Sequence, residues 1–186
     1  MSHKSSLFCH APHWRHLNPT ALYRLPDTLA SWLTETGSLT QRLRGIYGQQ
    51  FGVKVLQQRW ETAFIDESRI LQLAPSQRQL VREVLLHAGD RPLVLARTIL
   101  PAATINIARR NLSQLGNRPL GEVIFAYPDL ERRRRQYACV AQAHWSSAIN
   151  AEITVSAPVW GRRTVYAIHR QPLLVAEFFL PGLFYD

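Results

Sequence analysis

The chain has 186 residues, enough for one domain with a substantial core, and its composition, 46% hydrophobic and 19% charged, is that of a globular protein. Its two cysteines, Cys9 and Cys139, lie far apart in no paired motif, which excludes a disulfide scaffold. The formal net charge of +9 is carried almost wholly by arginine, Lys4 and Lys54 being the only lysines, so the expected partner is an anion that arginine's planar fork can grip.

Residues 1–24 show no helical or strand period and lack the apolar core of a signal peptide. They read as an irregular lead-in to a single domain over 25–186. No apolar run approaches the ~20 residues needed to span a bilayer, so a soluble, cytoplasmic protein is expected. Within the lead-in, Cys9, His10, His13 and His16 match no standard zinc spacing and read as a surface tract.

After Pro26, "DTLASWLTET" has Asp27 as a helix N-cap and Leu29, Trp32 and Leu33 at helical spacing. Gly37 breaks that helix and Ser38 caps a second, "SLTQRLRGIYG", with Leu39, Leu43 and Ile46 on one face. "FGVKVLQQRWE" alternates as a strand. "QLVREVLLHAGDRPLVLARTILP" reads as a hairpin turning at Gly89 and Asp90. Pro101 leads into a helix over "AATINIARRNLSQLG" that Gly116 ends, and "NRPLGEVIF" is a loop with a short helical turn. "PDLERRRRQYACVAQAH" is expected to be helical, with Arg132–Arg135 on a solvated face, and "AEITVSAPVW" to be an extra strand. "RRTVYAIH" and "PLLVAEFFLP" close the chain as a second hairpin. Hairpins interspersed with helices predict an α+β fold with an antiparallel sheet.

Glu177 stands inside an apolar run, and an ionised carboxylate leaves water only with a partner or by taking up a proton. A turn at Arg170 and Gln171 sets Glu177 opposite Thr164 with Arg162 as a diagonal neighbour. On the first hairpin, a turn centred on Gly89 and Asp90 pairs Leu86 with Leu93, Val84 with Leu95, and Arg82 with Arg97. Two opposed arginines require an anion between them. Two readings stay open: a buried ion-pair network, or a ligand pocket where arginines hold carboxylates and a desolvated Glu177 with raised pKa acts as donor or general acid. Nucleic-acid signatures, a P-loop, a dinucleotide fingerprint and a nucleophile elbow are absent from the sequence.

Six motifs in order, "GSLTQRL" (37–43), "REVLL" (82–86), "PLVLARTILP" (92–101), "LGNRPLGEVIF" (115–125), "WGRR" (160–163) and "PLLVAEFFLP" (172–181), resemble the chorismate pyruvate-lyase family. The resemblance implies an antiparallel α+β domain with a small internal pocket under two helical flaps, no metal and no organic cofactor. It implies conversion of chorismate to 4-hydroxybenzoate and pyruvate at the head of ubiquinone biosynthesis, by a monomer with no nucleic-acid partner. By motif, Arg82 matches the arginine on the ring carboxylate and Glu177 the glutamate at the 4-hydroxyl. Leu120 and Leu39 fall on the two flaps, and Arg97 on an arginine near the site. The segment 126–159 is longer than the family pattern. The alternative on the same fold is a non-catalytic binder of an aromatic carboxylate.

Overall fold

In the computed structural model, residues 5–108, 112, 115–155 and 157–184 are described. The strands are β1 (Phe51–Thr62), β2 (Arg78–Ala88), β3 (Arg91–Leu100), β4 (Glu131–Val140), β5 (Val159–Ile168) and β6 (Gln171–Phe179). They form one antiparallel sheet in the order β1-β2-β3-β6-β5-β4, so the two hairpins foreseen in the sequence lie at its centre and join through β3 and β6. The helices are α1 (Pro19–Tyr23), α2 (Asp27–Thr34), α3 (Leu39–Tyr47), α4 (Ile65–Ile70), α5 (Ala102–Ile107), α6 (Leu120–Ile124) and α7 (Ser147–Glu152). The α+β class with helices flanking an antiparallel sheet is as the sequence predicts.

Side chains alternate across the sheet, so each strand supplies two cores. On the inner face, Val84, Leu86, Ala96 and Phe179 pack under Trp32 and Leu33 of α2 and Leu39 and Leu43 of α3. Leu100, Leu173 and Val175 meet Ile105 of α5 and Val123 and Ile124 of α6. On the outer face, Leu85, Leu95, Ala176 and Phe178 pack with Leu7, Phe8, Trp145 and Ile149. Ser38 caps α3 as expected, accepting from Gln41 N at 3.3 Å. Asp27 is the first residue of α2 rather than its cap, a place Pro26 takes.

Several expectations are overturned, each for a local reason. Arg82 pairs with Thr98, and Arg97 with Glu83, so the two arginines lie on opposite faces. The turn sits at Gly89 and Asp90, but the register slips by one between Leu86 and His87. Pro92 has no N–H to continue the ladder, and the carbonyl of the extra residue, Leu93, accepts from Leu180 of the neighbouring chain segment at 2.9 Å. In the second hairpin the turn residues are His169 and Arg170, both with positive φ (47° and 67°), as a two-residue turn demands. Arg162 is therefore directly opposite Glu177, not diagonal to it.

The arginine run is a strand, not a helix. The strand β4 lies at the edge of the sheet, where charged residues are favoured, so its apolar alternation is weak. "AEITVSAPVW" forms no extra strand among the described residues: α7 ends at Glu152 and β5 begins at Val159. The helix expected up to Gly116 is observed over Ala102–Ile107, and part of its remainder lies outside the described residues.

The described part of the lead-in is anchored to the sheet. Arg97, 2% exposed, donates through Nε and Nη2 to both oxygens of Glu67 (2.8 and 2.9 Å) and through Nη1 to Glu83 (2.6 Å). Glu83 also accepts from Ser5 Oγ (2.5 Å) and from Ser6 N and Oγ (2.6 and 2.5 Å). Leu7 and Phe8 are buried beside this cluster, and Arg15 bridges to Tyr137 at the edge of β4. Removing the cation from a buried cluster strands its carboxylates. Arg97→Ala is expected to lower stability by about 3–5 kcal/mol, read as a lower urea midpoint. An unchanged midpoint would contradict the structural role.

Candidate functional site

The inner face continues into a cavity whose floor is the sheet and whose roof is two helix N-termini. Arg82, Val84, Thr98, Tyr166, Val175 and Glu177 form the floor. Gly37, Leu39 and Thr40 at the start of α3, and Pro119, Leu120 and Gly121 at the start of α6, cover it. The two helices touch through an Arg44–Glu122 ion pair (2.5 Å) and at Gly121, where an added Cβ would lie 2.7 Å from Thr40 Oγ1. Four of the five residues named from the sequence, Arg82, Leu39, Leu120 and Glu177, thus line one space. Arg97 does not: it is on the outer face, bound to Glu67 and Glu83.

Arg82 is 2% exposed, with Nη1 on Gln58 Oε1 (2.5 Å) and Nη2 on the Arg118 carbonyl (3.2 Å). Among the described residues no carboxylate pairs with it. Burial alone pulls its pKa below the ordinary arginine value. A buried guanidinium without a carboxylate partner is stabilised by any anion that reaches it.

Glu177 has the partner its apolar surroundings demand. Arg162 Nε donates to Oε2 at 2.6 Å. The same guanidinium donates through Nη1 to the carbonyls of Trp32 (2.9 Å) and Glu35 (2.7 Å), at the end of α2. Burial opposes Arg162's charge, yet Glu177 outweighs it and the pKa is raised overall. The chain between α2 and α3 is further pinned by Arg135 Nη1 on the carbonyls of Leu33 (3.4 Å) and Thr34 (3.2 Å), and by Arg132 on that of Thr36. Arginines of β4 and β5 therefore hold the segment that delivers Leu39 to the roof.

Tyr166 was not singled out from the sequence. It is 4% exposed, lines the cavity, and sits edge-on to Phe125 with ring centroids 5.9 Å apart. Burial, then the Glu177 charge, pushes its phenol pKa up. The signal was available: in "RRTVYAIH", Arg162, Thr164 and Tyr166 share a face by strand alternation. No group of three potential metal ligands occurs among the described residues, the Cys9–His16 tract included. No helix among them is long and apolar enough to cross a membrane.

Comparisons with known proteins place the chain in a family. The family model described as chorismate lyase matches residues 12–186. A protein of Methylococcus capsulatus named "probable chorismate pyruvate-lyase" is 47% identical over 155 residues, covering 83% of this chain and 96% of that one. Proteins of the same name from Thiobacillus denitrificans (37% identity, 87% of each chain) and Pseudomonas aeruginosa (34%, covering 90% of this chain and 91% of that one) are also similar. Among solved structures, a GntR-family transcriptional regulator from Bacillus cereus matches with a TM-score of 0.56 at 10% identity (74% of this chain, 96% of that one). The C-terminal domain of the histidine utilization repressor from Pseudomonas syringae matches at 0.52 and 16% (73% and 94%). At those identities the likeness is one of fold alone. The sequence similarity, spanning nearly the whole chain, shows that this protein belongs to the chorismate lyase family.

Proposed function

We propose that this chain is a chorismate pyruvate-lyase, converting chorismate to 4-hydroxybenzoate and pyruvate. The observation that carries this is Arg82, a buried guanidinium without a carboxylate partner among the described residues, in the same cavity as Glu177 two strands away. In this assignment Arg82 receives the ring carboxylate bidentately. Arg162 occupies Glu177 Oε2, leaving Oε1 to accept from the 4-hydroxyl of the ring. Leu39 and Leu120 close over the ring's two faces.

The reaction breaks the ether bond between ring C3 and the enolpyruvyl oxygen. C4 loses its proton, the ring becomes aromatic, and the released enolpyruvate takes up a proton as it becomes pyruvate. Aromatisation supplies the driving force, so the protein has to orient the side chain, exclude water and stabilise the charge building on the departing oxygen. We also infer that the enzyme acts as a monomer on a small molecule. We further take the enzyme to work in the cytoplasm without a nucleic-acid partner.

The deciding experiment is incubation of the purified protein with chorismate and a chelator, followed by chromatography. Equal amounts of 4-hydroxybenzoate and pyruvate are expected. Chorismate lost only at its spontaneous rate, with 4-hydroxybenzoate still bound, would mark a binding protein instead. Arg82→Ala removes a charged hydrogen-bond pair and should weaken 4-hydroxybenzoate binding roughly 10- to 100-fold by calorimetry. Glu177→Ala should lower kcat on the order of 100-fold while thermal unfolding remains cooperative. Gly121→Ala pushes the two roof helices apart, so product should dissociate faster in stopped-flow measurements; an unchanged release rate would show that the roof does not limit exit.

A further inference from the structure

We propose that the Tyr166 hydroxyl binds the carboxylate of chorismate's enolpyruvyl side chain. The inference rests on the lyase reading above and starts from a shortage of charge. Chorismate carries two carboxylates, and among the described residues that line the cavity Arg82 is the only cation. Arg162 stands outside the lining, where Glu177 and two carbonyls already hold it. The second carboxylate therefore has to be met by uncharged donors. Thr40, Thr98 and Tyr166 are the lining side chains that carry a hydroxyl.

Three successive rows of the inner face decide among them. Glu177 pairs with Ala96 in the first; Val175 pairs with Thr98, and Thr98 with Arg82, in the second. Tyr166 pairs with Leu173 in the third. A ring with its carboxylate on Arg82 and its hydroxyl on Glu177 lies obliquely over β3, above Ala96 and Thr98. One of its edges faces Val53, Val84 and Leu86, whose side chains offer no hydrogen bond. The other faces Val175 and, beyond it, Tyr166. The enolpyruvyl ether is on the carbon next to the one bearing the hydroxyl, so its carboxylate extends from one edge or the other. Only the Tyr166 edge supplies a donor. Thr98 lies beneath the ring in the row of Arg82, and Thr40 Oγ1 is in the roof against Gly121.

The phenol is prepared for this contact. Its ring is set edge-on to Phe125, which also lines the cavity, with centroids 5.9 Å apart. Its hydroxyl makes no hydrogen bond to a described residue, yet it is not among the unpartnered polar atoms sealed inside the protein. A hydroxyl left unpaired in a buried side chain is costly, and a ligand oxygen removes that cost. Burial, then the Glu177 charge, raises its pKa, so the group stays protonated and donates at neutral pH. A hydrogen bond from it to a carboxylate is of the stronger, charge-assisted kind.

Tyr166→Phe removes the hydroxyl alone and keeps the contact with Phe125. In this variant kcat/KM for chorismate should fall roughly 10- to 100-fold. The Kd for 4-hydroxybenzoate, which lacks the second carboxylate, should stay within twofold of wild type. Two unreactive probes separate binding from turnover. 3-(Carboxymethoxy)-4-hydroxybenzoate carries an ether-linked carboxylate at the same ring position, and 3-methoxy-4-hydroxybenzoate carries the ether without it. By calorimetry the variant should bind the first roughly 10- to 100-fold more weakly and the second as wild type does. Unchanged affinity for the dicarboxylate overturns the proposal. So does an equal loss for all the ligands, which would mean that Tyr166 holds the ring. If the wild-type protein leaves chorismate intact, the lyase reading falls first and this inference with it. If wild type turns over and Tyr166→Phe turns over equally well, only this inference falls.

Discussion

Everything at the cavity hangs on the Arg162–Glu177 pair. Burying a carboxylate in an apolar run requires a cation, and Arg162 supplies it across one rung of the sheet. A lone arginine there would be over-compensated in turn, but its remaining donors reach the end of α2 and satisfy Trp32 and Glu35 carbonyls that the helix leaves open. One guanidinium thereby ties the polar wall of the cavity to the segment that carries its roof. The end of α2 and the Glu177 carboxylate thus share one guanidinium.

The two faces of the sheet use arginine in opposite ways. On the outer face Arg97 meets two carboxylates, and serine donors from the N-terminal segment complete Glu83. That cluster closes on itself and has structural work alone. On the inner face the accounting is left open, with Arg82 buried, Arg135 half-buried and neither facing a carboxylate among the described residues. An incomplete electrostatic network is costly in a finished structure and useful in a binding site, because the ligand completes it. The segregation follows from strand alternation: residues 82 and 83 of one strand, or 162 and 163 of another, belong to different chemistries.

The Arg132–Arg135 run shows how a feature that looked peripheral comes to anchor the segment that carries the roof. As a solvated helix it would be surface charge. As the edge strand beside β5 it brings Arg135 onto the inner face, while Arg132 reaches the Thr36 carbonyl. The register slip between Arg132 and Arg134 puts both Arg132, opposite Tyr166, and Arg135, opposite Thr164, on the inner face.

The sequence by itself determined the α+β class, the two central hairpins, the capped helix at Ser38 and the short helix after Pro119. These depend on neighbours in the chain, through periodicity, capping and turn residues. It also marked Glu177 and Arg82, because charges inside apolar strands are conspicuous against their surroundings, and the ordered motifs carried Leu39 and Leu120. Tertiary structure decided the rest. Whether Arg97 shares a face with Arg82 turns on one extra residue at Leu93, whose carbonyl is claimed by Leu180 from far along the chain. Whether "ERRRRQYACV" is helix or strand depends on the open edge of β5, and whether Ser5–Phe8 is ordered depends on Glu83. Register, edges and long-range anchoring are set by partners distant in sequence, so local pattern carries no trace of them.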